Sequence, residues 1–68
     1  MDEDVLNIQI RSFLKKVGIN CQRELEKALR DAVENGRLSG AEVLDVSVTL
    51  KLDALGVSLP IEGKIALE

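Results

Sequence analysis

Arg23, Lys27 and Arg30 recur at steps of four and three residues, and Arg11 and Lys15 repeat the four-residue step upstream. On helices such spacings line positive charge along one face. Two adjoining basic faces could hold a phosphate. The plainer reading is a solvated face neutralised by Glu24, Glu26, Asp31 and Glu34, and it is preferred. The run KKVGIN resembles the turn of a helix-turn-helix, but Glu24 falls where that motif needs an apolar core residue, and Leu25 comes one too late. No aromatic platform for single strands accompanies it. Nucleic-acid binding is therefore disfavoured, and a weak polyanion binder through Arg11, Lys15, Arg23, Lys27 and Arg30 is kept as the alternative.

Cys21 is the only cysteine, and histidine is absent. At the start of a second helix its thiolate would be favoured by the dipole, but no histidine can serve as its base. A zinc site lacks ligands, so no metal is expected. Carboxylate pairs such as Glu24 with Glu26, or Asp31 with Glu34, lie where a helix shows them to water. They lack the enclosed site that acid–base work requires. There is no phosphate loop and no nucleophile elbow. We expect no enzyme, no catalytic residue and no cofactor.

The elements that must position these residues follow from periodicity. Leu6, Ile10, Phe13, Leu14 and Val17 form one helical stripe over Asp2 to Val17. Asp2, Glu3 and Asp4 open that helix and Gly18 is its expected stop. Asn20 is read as the cap of a second helix, Cys21 to Asn35, striped by Leu25, Ala28, Leu29, Ala32 and Val33. A three-residue connection would make the helices antiparallel neighbours.

From Leu44 onward the chain alternates apolar and polar residues, which predicts strands over Leu44 to Leu52 and Val57 to Ala66. Centring the turn on Ala54-Leu55 sets Leu52 against Val57, Leu50 against Leu59, Val48 against Ile61 and Leu44 against Ile65. Asp45 then meets Lys64, an opposite-charge pair that supports the register. Gly63, opposite Val46, suggests a bulge or a close approach. The expected fold is α+β, order ααββ, with two antiparallel helices packed on one face of a hairpin in a single domain.

Phe13 to Gly40, FLKKVGINCQRELEKALRDAVENGRLSG, resembles the signature stretch of a family of small uncharacterised bacterial proteins. The Glu62-Gly63 strand fits the same pattern. The resemblance implies a bacterial origin and carries no activity, cofactor or functional residue.

Composition sets the remaining bounds. Sixty-eight residues with net charge −3 bury only a small core. An internal disulfide and a zinc site are not available to reinforce it, so the remaining remedies are a well-packed core or self-association. Bulk charge does not favour polyanions. No apolar run is long enough for a membrane, and MDEDVLNI lacks a signal-peptide pattern, which with one free cysteine suggests a cytoplasmic setting. Ile8 points away from the first stripe, with Val5 near it, and strand edges are open to pairing. We expect a non-catalytic interaction or structural module, self-associating or bound to an unidentified protein, with Val5, Ile8, Val46 and Val48 as its interface.

Overall fold

A computed structural model describes residues 1–68. One helix, α1 (Glu3–Glu34), precedes β1 (Val43–Leu52), a 3-10 turn (Asp53–Leu55) and β2 (Val57–Ala66). The class is α+β. The chain divides into two compact units, Met1–Arg37 and Leu38–Glu68.

The expected pair of helices is a single helix of 32 residues. Gly18 does not take the left-handed conformation that ends a helix. Asn20 does not cap a new one; its Nδ2 donates back to the Lys16 carbonyl at 2.7 Å, inside the same helix. The energetics favour continuity. A mid-helix glycine costs about 1 kcal/mol relative to alanine. Stopping and restarting would forfeit several backbone hydrogen bonds and require a second nucleation. Good helix formers lie a turn away on the C-terminal side, from Gln22 to Leu29, and Lys15-Lys16 precede the glycine. With one helix there is no helical pair to pack on the hairpin, and that part of the expected architecture falls with it.

The true ends of α1 carry full capping chemistry. Asp2 is extended, and its carboxylate accepts from the N–H groups of Asp4 (3.0 Å) and Val5 (3.2 Å). At the other end Gly36 turns left-handed, with φ 80°. The Gly36 N–H bonds the Val33 carbonyl at 3.2 Å and the Arg37 N–H bonds that of Ala32 at 2.9 Å. This pair of bonds is the Schellman motif.

In the second unit β1 and β2 pair antiparallel in the expected register, from Leu44 with Ile65 to Leu52 with Val57. Asp53–Leu55 and a left-handed Gly56 close the turn, the Gly56 N–H reaching the Asp53 carbonyl at 3.2 Å. The Leu67 N–H bonds the Glu42 carbonyl at 3.0 Å, just beyond the strands. Pairing runs unbroken through Val46 and Gly63, so Gly63 marks no bulge. A Cβ there would meet only the Val46 Cγ1, at an ordinary 3.8 Å.

A lone helix and a two-stranded hairpin each have one layer, and one layer cannot enclose a side chain. Accordingly neither unit buries a residue of its own.

Candidate interaction surfaces

Two apolar surfaces and one small patch stand out. On α1 the stripe is continuous: Leu6, Ile10, Phe13 and Val17 lead into Cys21, Leu25, Ala28 and Ala32. Phe13 is 53% exposed; Val17, Cys21, Leu25 and Ala32 are half-buried among their own neighbours. On the hairpin, alternation puts Leu44, Val46, Val48, Leu50 and Leu52 of β1 on one face with Val57, Leu59, Ile61 and Ile65 of β2. Its exposed members range from 37% at Leu50 to 56% at Ile61. Leu44, Val46 and Ile65 are half-buried. The small patch is Val5 and Ile8, 52% and 65% exposed, on the side of α1 away from the stripe.

The expected interface residues thus fall on two different surfaces. Val46 and Val48 belong to the hairpin's apolar face, and Val5 and Ile8 to the helix. Each strand also leaves one long edge unpaired. A proline has no N–H to donate, so Pro60 interrupts what β2 offers, whereas the ten residues of β1 are free of proline.

The five basic residues are strung along one helix rather than set on two adjoining ones. Lys15 and Arg23 are eight residues apart, about 12 Å of helix rise. None of the five makes an ion pair. The chain's one salt bridge joins Lys64 to Asp45 at 2.8 Å on the hairpin's polar face. Glu26, expected to help neutralise that face, instead accepts from the Gln22 amide at 3.1 Å. Cys21, expected in a first helical turn, lies mid-helix, so no helix N-terminus faces its sulfur.

The most organised polar feature is one that periodicity does not reveal. The Glu42 carboxylate accepts from the Ser39 N–H (2.8 Å to Oε2), the Ser39 hydroxyl (3.0 Å), the Gly40 N–H (2.9 Å) and the Ala41 N–H (3.1 Å). The Ser39 N–H is the largest influence holding this carboxyl down, from 4.5 to about 2. Partial desolvation opposes it, and the Ser39 hydroxyl, Glu42's own N–H and the Gly40 N–H assist. Every Glu42 oxygen is thereby occupied with the loop's own donors, so the cluster secures the loop and offers no free base. Ser39 three residues before Glu42 is the sequence signal, a capping-box spacing used without a helix.

Open depressions mark both units. One lies on the hairpin around Asp45, Val46, Ser47, Glu62, Gly63 and Lys64; another lies beside Glu3, Leu6, Asn7, Ile10 and Arg11 on α1. No set of three or more metal-ligating side chains converges. No helix is long and apolar enough to cross a membrane.

A family model matches residues 1–68. The chain belongs to the DUF6494 family, a family of unknown function. The match covers the full sequence, helix and hairpin together. No curated protein and no solved structure matches the chain. Membership of DUF6494 assigns no residue a role, so function must be argued from the surfaces themselves.

Proposed function

We propose that this chain is a small non-catalytic interaction or structural module that completes its fold by self-association. One observation carries the reading: all of its large apolar side chains remain open or only half-covered. Contiguous apolar surface on this scale marks a contact site. Apolar burial is the main favourable term in both folding and association. A two-stranded hairpin is marginal alone, and an isolated helix draws little stability from propensity. The sequence supplies no internal disulfide and no histidine for a zinc site. The stripe of α1 and the apolar hairpin face offer more surface than the Val5–Ile8 patch and are the proposed contacts. The proposed setting is cytoplasmic, supported by the single free Cys21.

Sedimentation equilibrium with reductant, over a concentration series, tests the proposal. A dimer or higher species is expected. A monomer at every concentration with full secondary structure would refute it.

A second reading, a weak polyanion binder, draws on the unpaired Arg11, Lys15, Arg23, Lys27 and Arg30. It requires that reversing the charge of Arg23 and Lys27 abolish a gel shift seen near physiological salt. Self-association requires only that those reversals leave assembly intact.

A further inference from the structure

The helix stripe has a symmetry that a continuous helix makes meaningful. Along its centre run Leu6, Ile10, Phe13, Val17, Cys21, Leu25, Ala28 and Ala32, with Leu14 and Leu29 on one flank outside the symmetric set. The steps along the centre read four, three, four, four, four, three, four, the same in both directions. Leu6, Val17 and Ala28 are eleven residues apart, close to three turns of an undistorted helix, so the seam runs almost straight. A spacing that reads the same both ways is self-complementary under a two-fold axis perpendicular to the helix. That axis would pass level with Ile19, near the middle of Glu3–Glu34.

We infer that α1 pairs with α1 of a second copy, antiparallel, about a two-fold axis level with Ile19. This rests on the self-association proposed above and names its partner, element and direction.

Side-chain sizes select the direction. In the antiparallel pair each residue meets the one equally far beyond Ile19. Leu6 meets Ala32, Ile10 meets Ala28, Phe13 meets Leu25, and Val17 meets Cys21. In each layer a larger side chain from the first half meets an equal or smaller one from the second. Facing positions that alternate large and small keep a constant axial distance and interdigitate. A parallel pair would set Phe13 on Phe13 at one end and Ala28 on Ala28 at the other. Contact distance follows side-chain size, so the helices would splay at one end or leave voids at the other.

Charge agrees. No basic residue lies in the seam. Arg11, Lys15, Arg23, Lys27 and Arg30 fall toward the other side of α1, at about 100° per residue. Glu24 and Lys16 share one edge of the stripe, and the two-fold brings Glu24 within about one turn of Lys16 in the second copy.

Gly18 agrees as well. It flanks the stripe beside the axis. Its backbone is not left-handed and a Cβ would meet nothing within 4 Å, so nothing inside the chain calls for glycine. A second helix crossing there would use the missing side chain.

Cross-linking tests the direction. Phe13→Cys and Leu25→Cys are each made in a Cys21→Ala background, checked for assembly by sedimentation, and oxidised alone and mixed. Covalent dimer is expected only in the mixture. In the natural chain the two Cys21 are offset by about 6 Å along the axis in addition to the lateral gap, unlike the level pair of positions 13 and 25, so they lie beyond disulfide reach and should not cross-link. If each variant cross-links alone, as would natural Cys21, the pair is parallel and the inference fails while self-association stands. Assembled variants that cross-link in no combination place the interface off the stripe, with the same consequence. A natural chain that stays monomeric overturns both. Should Phe13→Cys or Leu25→Cys itself prevent assembly, Ile10→Cys mixed with Ala28→Cys repeats the test one layer out.

Discussion

Glu42 is one carboxylate on which four hydrogen bonds converge, from Ser39, Gly40 and Ala41. Its folded-state pKa, about 2, lies below the unfolded value of 4.5. Its contribution to the loop is therefore fully present above about pH 4.5 and is lost as pH falls toward 2. An NMR titration of the Glu42 carboxyl carbon should give a midpoint near 2, with the Ser39 and Gly40 amide shifts following it. A midpoint above 4 would mean that the cluster does not hold in solution. Glu42→Gln, which gives up one acceptor oxygen and the charge, should collapse those amide shifts toward random-coil values at pH 7. The Lys64–Asp45 bridge is different in kind. Both side chains are largely in water, and exposed pairs of this sort contribute only about 0.2–1 kcal/mol. Its value is to penalise the wrong register.

At the scale of elements, continuity of α1 through Gly18-Ile19-Asn20 separates this structure from a helical hairpin. Cα secondary shifts should stay helical across those three residues; coil values there would restore two helices. Gly36 carries the opposite expectation. Its φ of 80° suits glycine, so Gly36→Ala should cost about 1 kcal/mol or more of helix stability, read from the thermal melt. Much of this scale was legible from sequence. Strand register followed from strict alternation and from the opposed charges of Asp45 and Lys64, since a one-residue slip inverts every side chain. The acidic start at Asp2 to Asp4 and the helix end at Asn35 were equally clear, although Asp2 proves to be the cap and not a first-turn residue. The reading failed at Gly18 because Gly and Asn are stop and start signals only when tertiary contacts reward a break. The uninterrupted steps from Val17 to Cys21 to Leu25 were the competing signal. The candidate surfaces were half legible: Val46 and Val48 do share an apolar face, but joining Arg11 and Lys15 to Arg23 required a helix pair that does not exist.

At the scale of the whole molecule, the fact to explain is that neither unit buries a residue of its own. If the α1 stripe is the seam, Phe13→Asp should weaken assembly at least a hundredfold, because it places a charge in the apolar centre of the contact. Ile8→Asp, on the far side of α1, should change it less than threefold. The reverse order would move the interface to the Val5–Ile8 patch. Sedimentation of the two variants decides between them.

The most direct test of the central claim, that this fold is completed by a second copy, is thermal unfolding followed by far-UV circular dichroism over a hundredfold range of concentration. Association linked to folding predicts a Tm that climbs steadily with concentration and a helical signal that fades on dilution. A sharp transition at one Tm, unchanged across the range, would show a chain that is stable alone and would contradict the account.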